Sequence, residues 1–483
     1  MRHLATNQFR HRFERLRGRA ANPAPNADRG DRATAARPPA VNRRRLSCFP
    51  ALALSIAVLV GSAASGFADD SYVVLKAKKV ITITGEEISD AMIVISGGKI
   101  EAVGKKVDYP SESRVIDVSN LTVMPGMISP HSAIGLPPAN RNGNQSHRRV
   151  SSDFLPPDDD TYSRLLQAGY TMLGLYPPGG GMPGQKLVQT TSQPQKRAGL
   201  KEEGLIRVSF TRPATDKRLL RDTIKQAQAV IDKENEATSK SATSRPAAES
   251  RPTSQPTSVP ASGPSSQPAT TRPATASAPV APPPRPELEP WLSLLKKKEG
   301  FVAQIELARA SDIIHLADVL KDADFARHFV VSGWEIGDMH QVVAHDLLGH
   351  AKALVAITPT LPNMPLTMNP YNLAQRFINA GATVAIFPLS DTVEEYGNIR
   401  ERLAMLVRAG LDRKDALKAV TLNAARFLLM DKEYGSIEKD KWADLILLDG
   451  DPLDPASKVR RVMIHGEFVF DLDKKDSKQP PRL

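Results

Sequence analysis

The stretch VMPGMISPHSA, residues 123–133, marks the point where the character of the chain changes. Before it, residues 72–124 contain short β-branched runs separated by turn pairs such as Gly97-Gly98, a pattern typical of a small antiparallel sheet or sandwich. After it, residues 125–430 alternate between strand-like and helix-like segments, which predicts a parallel α/β body. The stretch itself should therefore form the first strand of that body.

Strand-like sequence returns near the end of the chain, at residues 444–450 and 459–470. The α/β body is thus bracketed by β-rich segments on both sides. If the two segments meet, they form one accessory domain to which both termini contribute.

The predicted body is interrupted by residues 237–287, which are almost entirely Ser, Thr, Pro, Ala and Arg. Such a segment has almost no apolar side chains to bury, so it should be extended and solvated, with polyproline II character. We interpret it as an inert insertion or, alternatively, as an attachment tether.

The first 68 residues have the composition of an export leader. They carry 12 arginines against three acidic residues, and they end in an uncharged stretch whose apolar core is residues 51–60. Small residues at 66 and 68 would allow cleavage before Asp69, as in a secretory signal peptide. The sequence therefore predicts an exported, periplasmic protein, with an uncleaved membrane anchor as the alternative.

Charge and cysteine content exclude several classes of function. The formal net charge is +11, but most of it belongs to the leader, and the remainder is close to neutral. A neutral body lacks the basic surface that nucleic acid binding requires, and no membrane segment is expected beyond the leader. The single cysteine, Cys48, lies in the leader, so the mature protein has neither disulfides nor a cysteine nucleophile.

The stretch at 123–133 resembles the Pro-Gly-(Leu/Met)-Ile-Asp-x-His-x-His signature of the amidohydrolase superfamily. In that signature the two histidines are two residues apart on a strand, so both face one metal ion. His131 stands at the first histidine position. Ala133 stands at the second, and Ser129 replaces the aspartate.

The C-terminal part carries a closer resemblance. Residues 421–426 resemble the superfamily's Thr-x-Asn-x-Ala helix, and residues 435–446 its Gly-Ser-(Ile/Leu)-x-x-Gly-Lys-x-Ala-Asp return strand, with Asp440 in place of the second glycine. Residues 169–185 add a similarity to the imidazolonepropionase-related subgroup. The resemblance covers residues 72–236 and 288–472.

This resemblance implies a TIM-type (β/α)8 barrel with a composite β-sandwich formed by both termini. The segments expected on this basis are the leader (1–68), the two sandwich parts (69–124 and 433–483), the two barrel parts (125–236 and 288–432) and the insertion (237–287). The resemblance also implies a metal-activated water at the C-terminal ends of the barrel strands and an aspartate that accepts its proton. Asp391 matches that catalytic aspartate.

The remaining metal ligands match poorly. Glu306 stands where a ligand histidine is expected, and Ser332 replaces another. The bridging lysine or glutamate of the superfamily has no clear counterpart: Gln189 and Thr190 align near it, and Lys186 lies a few residues away. His131, Glu306 and Asp391 are therefore the candidate ligands for a single divalent ion such as zinc, and a site without any metal is the alternative.

Other patterns carry less information. We interpret the glycine-rich run 179–186 as a mobile loop over the barrel mouth rather than a phosphate loop. His340, His345 and His350 are five residues apart and do not share a helix face, so we expect surface or capping roles.

Two functional hypotheses remain at this point. The first is a metal-dependent hydrolase of non-peptide carbon–nitrogen bonds, with His131 and Asp391 at its centre. The second is a catalytically inactive barrel that binds a small molecule or a partner in the same pocket. Convergence of His131, Glu306 and Asp391 on one point would favour the hydrolase.

Overall fold

A computed structural model describes residues 72–137, 142–150, 160–192, 199–243, 285–321, 323–333, 336–348 and 353–476. The predicted leader and most of the predicted insertion at 237–287 lie outside these residues, as do Cys48 and His350. The part of the insertion that is described is helical up to Thr243, where an extended segment was expected.

The chain has the following strands: β1 (Val73–Ile81), β2 (Glu87–Ser96), β3 (Lys99–Gly104), β4 (Arg114–Pro125), β5 (Met127–Ser132), β6 (Tyr170–Leu175), β7 (Gly181–Gln185), β8 (Leu187–Thr190), β9 (Gly199–Lys201), β10 (Leu205–Ser209), β11 (Val302–Leu307), β12 (Arg327–Val331), β13 (Leu354–Ile357), β14 (Thr383–Ile386), β15 (Leu445–Leu448), β16 (Val459–Ile464) and β17 (Glu467–Asp471).

Its helices are α1 (Asp160–Ala168), α2 (Pro213–Thr243), α3 (Glu289–Leu295), α4 (Ala310–Leu320), α5 (Leu373–Asn379), α6 (Val393–Gly397), α7 (Ile399–Arg408), α8 (Arg413–Ala419), α9 (Leu422–Phe427) and α10 (Leu472–Asp476). The predicted helices at 394–408 and 413–428 are each divided into two, α6 with α7 and α8 with α9.

The two ends of the described chain form one seven-stranded sheet, in the order β17-β16-β15-β4-β1-β2-β3. Its central pairing is the antiparallel match of β4 with β15, in which Met124 faces Ile446. Apolar residues from both halves, such as Ile93 and Met463, pack in one cluster. The outer strand β3 also returns to the C-terminal half, since the Ile100 N–H donates to the Lys441 carbonyl at 2.8 Å. The sheet therefore encloses its own core, as the predicted composite sandwich requires.

The α/β body is built around the strands β5 to β14. Two hydrogen-bonded sheets contribute, in the orders β14-β13-β12-β11-β10-β7 and β5-β6-β8-β9. Eight positions around this body each supply one apolar residue to a shared interior cluster: Ile128, Met172, Val188, Leu205, Val302, Val330, Ala356 and Ala385. The helices pack outside the strands in a separate, larger cluster. This arrangement of an inner core and an outer layer is that of a barrel with surrounding helices.

One position in the ring departs from the parallel pattern. Residues 181–190 form β7 and β8, which run antiparallel to β10 and to β6 respectively. Both strands are completely buried, so the predicted mobile loop at 179–186 is wrong. The change of partner falls at Lys186, whose backbone N–H donates to the Leu205 carbonyl at 2.8 Å.

Helix α9 closes the barrel at the N-terminal ends of its strands. The Phe427 carbonyl, at the end of this helix, accepts hydrogen bonds from Gln304 Nε2 at 2.9 Å and from His328 Nδ1 at 3.0 Å. Burial lowers the pKa of His328 to about 4, so this histidine is neutral and donates through Nδ1. Helix α9 thus covers the N-terminal ends of β11 and β12.

A helix that crosses a membrane must be long and strongly apolar. Within the described ranges, none of the helices is both long enough and apolar enough to do so.

A buried carboxyl group lies where the sheet meets the barrel. Asp444 is 7% exposed, and its Oδ1 accepts a hydrogen bond from the His465 N–H at 2.8 Å. Its Oδ2 has no hydrogen-bond partner among the described residues. Burial raises the pKa of Asp444 to about 7, against a smaller opposing effect of the His465 N–H.

This pKa predicts that the folded protein becomes less stable as the pH rises from about 4 to about 7. In that window the unfolded carboxyl is ionised while the folded one retains its proton, so the unfolded state binds fewer protons. We expect the free energy of unfolding to fall by about 2–3 kcal/mol between pH 5 and pH 8 on account of this group. Urea unfolding at both pH values measures the change.

The control is Asp444→Asn, which cannot ionise. The wild-type protein should lose stability relative to this variant as the pH rises. A difference between the two proteins that is the same at pH 5 and pH 8 would contradict the assignment.

Candidate ligand pocket at the barrel mouth

A pocket of about 740 Å³ lies at the C-terminal ends of the barrel strands. Its lining combines apolar and polar side chains: His131, Tyr176, Glu306, Ser332, Gly333, Ile336, Thr358, Thr360, Leu361, Pro362, Phe387, Pro388, Leu389, Ser390 and Asp391. The volume falls in the range of sites that bind small molecules. The three residues predicted from the sequence, His131, Glu306 and Asp391, all belong to this lining.

His131 occupies the end of β5 and is 5% exposed. Its ring stacks on Tyr176 with the ring centroids 4.1 Å apart, and Phe387 packs against it at 5.2 Å. Burial, followed by the nearby positive charges of Lys186 and Arg207, holds the pKa of His131 well below its usual range. The imidazole is therefore neutral at physiological pH.

Lys186 lies directly behind His131. Its side chain is completely buried, and Nζ donates to the Pro130 carbonyl at 3.0 Å and lies 2.9 Å from His131 Nδ1. Both partners are neutral groups. Because no counter-ion is in contact, burial lowers the pKa of Lys186 well below its usual value, and Arg207 adds to this effect.

Glu306, at the end of β11, is held by two donors. Its Oε2 accepts from Arg207 Nη2 at 2.6 Å, and its Oε1 accepts from the Ser332 hydroxyl at 3.1 Å. The side chains of the ion pair are only 8% and 15% exposed. Arg207 also donates to the carbonyls of Pro177 and Gly179, so its guanidinium is fixed between two loops.

Tyr176 links the two sides of the pocket. One face of its ring stacks on His131, and the Arg207 guanidinium lies 4.4 Å from the ring centroid. Its hydroxyl donates to Asp391 Oδ2 at 3.0 Å. Burial, together with the charge of Asp391, raises the pKa of Tyr176, so the hydroxyl remains a donor.

Asp391 follows β14 at the rim of the pocket. The residue is exposed on one side, but protein atoms crowd its carboxylate, and this burial raises its pKa. The Ala133 N–H and the hydroxyls of Tyr176 and Ser132 oppose the rise as hydrogen-bond donors. All these donors are neutral.

Ser129, which replaces the aspartate of the signature, takes part in a hydroxyl cluster beneath the pocket. Its Oγ lies 3.4 Å from the Tyr396 hydroxyl, which donates to Ser132 Oγ at 2.5 Å. Burial raises the pKa of Tyr396 well above its usual value. The cluster is therefore neutral and supplies no metal ligand of the usual kind.

The side chains around the pocket do not fit a metal ion. His131 Nδ1 faces Lys186, and Glu306 is paired with Arg207. Among the described residues there is no group of three or more His, Cys, Asp or Glu side chains arranged to hold a metal. The predicted residues thus share a pocket, but the structure engages each of them with another protein group.

The remaining sequence predictions had mixed outcomes. His345 stabilises a turn rather than a helix end, since its Nδ1 accepts from the Leu347 N–H at 3.2 Å. Gln189 and Thr190, aligned near the bridging ligand, are buried in β8, and Gln189 Nε2 donates to the Tyr162 hydroxyl at 3.2 Å. Neither lines the pocket.

Sequence reasoning missed Lys186, Arg207 and Tyr176. The only available signal was the proximity of Lys186 to the aligned bridging position. Arg207 lies on the same face of β10 as Leu205 and Ser209, so its inward direction follows only once that strand has been assigned.

Comparison with known proteins supports the relationship. The amidohydrolase family model matches residues 377–469. Imidazolonepropionase from Picrophilus torridus is 37% identical over 109 residues, which are 22% of this chain and 28% of that protein. The chain thus aligns with less than a third of the length of this curated relative.

Solved structures of similar fold include an amidohydrolase from Thermotoga maritima MSB8, with a TM-score of 0.60 and 21% identity, covering 83% of this chain and 100% of that one. Atrazine chlorohydrolase TrzN from Arthrobacter aurescens TC1, complexed with zinc, has a TM-score of 0.45 and 15% identity, covering 84% and 98%.

These findings support the resemblance to the amidohydrolase superfamily that the sequence predicts, and the predicted fold class is confirmed by the similarity to solved amidohydrolase structures. The resemblance is to a family of hydrolases. The chain's own site, however, differs from a metal centre, because His131 Nδ1 contacts Lys186 and Glu306 is paired with Arg207.

The ion pair between Arg207 and Glu306 predicts a characteristic response to mutation. Arg207→Met leaves a buried carboxylate without a counter-ion, which should lower the free energy of unfolding by about 3–5 kcal/mol. The double variant Arg207→Met/Glu306→Met removes both charges and should recover most of that loss. Urea unfolding of the three proteins measures both effects.

Arg218→Met is the matched control, because Arg218 is 87% exposed in a surface pair with Asp222. It should change stability by less than about 1 kcal/mol. A double variant no more stable than Arg207→Met alone would show that the pair is not the dominant interaction.

Proposed function

We propose that this protein is a small-molecule-binding member of the amidohydrolase superfamily whose pocket works without a divalent metal. The observation that carries the proposal is the contact of 2.9 Å between Lys186 Nζ and His131 Nδ1. A metal ligand histidine must offer a free nitrogen lone pair to the ion. In this chain a buried amine occupies the Nδ1 side of the His131 ring, so only Nε2 could serve as a ligand.

The pairing of Glu306 supports the same conclusion. An arginine side chain remains charged at every physiological pH and matches a carboxylate geometrically. To bind a metal, Glu306 would have to exchange Arg207 for the ion, and the displaced guanidinium would remain buried. The cost of an unpaired buried charge is several kcal/mol, which opposes this exchange.

A metal-dependent hydrolase of non-peptide carbon–nitrogen bonds is the second candidate. It is favoured by the superfamily relationship and by the presence of His131, Glu306 and Asp391 in one pocket. In that case Asp391 would be the proton acceptor.

Metal content distinguishes the two candidates. We expect the full-length protein, purified without a chelator or a histidine tag, to contain well under one Zn, Mn, Fe or Ni per chain by mass spectrometry. The same result should hold after incubation with each metal and removal of the excess.

A stoichiometry near one that is lost in both His131→Ala and Asp391→Ala would overturn the proposal and establish the hydrolase candidate. Asp324→Ala is the control for unspecific binding, because Asp324 is exposed and pairs with Lys297 at 2.7 Å on the surface.

We also propose that the protein is exported to the periplasm, on the basis of its arginine-rich, apolar leader. Mass spectrometry of the N-terminus of the cell-expressed protein tests this. A mature chain that starts at Asp69 is expected, and a cytoplasmic chain that retains residues 1–68 would contradict it.

A further inference from the structure

The pocket lining contains two carboxylates, whereas the neighbouring basic side chains are buried behind it. The carboxylates of Glu306 and Asp391 both belong to the lining. Arg207 reaches Glu306 from the side of the Pro177 and Gly179 carbonyls, and Lys186 is buried behind His131. Among the described residues, no lysine or arginine lines the pocket. An anionic ligand would therefore face carboxylates with no compensating cation in contact.

The two carboxylates differ in how their charge is balanced. Glu306 has a full ion pair with Arg207 at 2.6 Å. The hydrogen bonds to Asp391 come from the Tyr176 hydroxyl and other neutral donors. The charge of Arg207 acts on Asp391 only from a distance. Charge-assisted hydrogen bonds are about twice as strong as neutral ones, so a ligand cation in contact with Asp391 would gain a bond of a kind that its protein donors do not supply.

Two hydroxyl groups in the pocket also lack partners. Thr358 and Thr360 follow the end of β13, two residues apart, and both line the pocket. Thr358 is 5% exposed, yet its Oγ1 and that of Thr360 are buried without a hydrogen-bond partner among the described residues. Buried hydroxyls are ordinarily satisfied, because an unmade hydrogen bond costs about 1–3 kcal/mol. Since both oxygens are closed to solvent, a ligand polar group would complete them after a rotation of either side chain about χ1.

The rest of the lining is apolar. Ile336, Leu361, Phe387 and Leu389 supply aliphatic and aromatic surface between the polar groups. Such a wall favours a ligand with a compact apolar body over a highly hydrated one.

Resting on the proposed function, we infer that the pocket takes a small organic amine. Its ammonium group pairs with Asp391, its apolar body contacts the Ile336, Leu361 and Phe387 side chains, and a second polar group hydrogen-bonds to Thr358 and Thr360.

Four probes of nearly equal size test each part of this assignment by titration calorimetry with the full-length protein. Tyramine carries an ammonium group and a phenolic hydroxyl. Tyrosol replaces the ammonium with an alcohol, 4-hydroxyphenylacetate replaces it with a carboxylate, and phenethylamine lacks the phenolic hydroxyl. We expect tyramine to bind about tenfold or more tightly than tyrosol, and 4-hydroxyphenylacetate to bind most weakly. Phenethylamine should bind several-fold less tightly than tyramine.

Variants locate the two interactions. Asp391→Asn should lower the affinity for tyramine to that for tyrosol and leave tyrosol binding unchanged. Thr358→Val should remove the difference between tyramine and phenethylamine. Asp324→Asn, which removes a surface carboxylate, is the control and should leave all four affinities unchanged. Circular dichroism confirms that each variant is folded.

The outcomes separate this inference from the proposed function. If tyrosol or 4-hydroxyphenylacetate binds the wild-type protein as tightly as tyramine, the amine assignment is wrong while a metal-free binding pocket stands. If tyramine does not bind, the assignment also fails, and the metal measurement alone then decides the proposed function. Tyramine binding that is unaffected by Asp391→Asn would overturn the assigned position of the ammonium group.

Discussion

The enclosure of ionisable groups at the barrel mouth is the constraint on which the site depends. A barrel interior excludes water, and a charged group placed there must find a partner or become neutral, an amine by losing a proton and a carboxylate by gaining one. This chain uses both solutions side by side. Arg207 and Glu306 pair with each other, whereas Lys186 contacts only the neutral Pro130 carbonyl and His131 ring, and its pKa falls accordingly.

This arrangement lies where the stretch at 123–133 departs from the amidohydrolase signature that it resembles. Here the amine of Lys186 contacts His131, the guanidinium of Arg207 pairs with Glu306, and the Tyr396 hydroxyl bonds to Ser132, each with a partner from the protein. Within the pocket lining, the Thr358 and Thr360 hydroxyls, which follow β13, have no partner among the described residues.

Much of the architecture could be predicted from the sequence, because strands, helices and the return strand at 435–446 leave local patterns. Helix α1 at Asp160–Ala168 and the pairing of the two terminal β regions followed from such patterns. The shared pocket of His131, Glu306 and Asp391 followed from the resemblance to the superfamily, which places these positions at strand ends. The antiparallel strand at Gly181–Gln185 did not, since its glycines and proline resemble a loop. A Cβ at Gly184 would lie only 2.7 Å from the Arg148 carbonyl oxygen, so glycine is needed there for close packing. The contacts of Lys186 could not be predicted either, because they depend on the position of that strand.

The pairing of β4 with β15 also sets an order of events during biosynthesis. Residues 122–125 contact residues 445–448, so more than 300 residues must emerge before the central strands of the sheet can meet. Long-range pairing of this kind is slow, because the intervening chain must first be brought together. Until then the inner edge of β4 is an unpaired strand, which is a surface open to wrong pairing. The N-terminal strands of the accessory sheet are thus synthesised first. The sheet is completed only after all strands of the barrel have been synthesised.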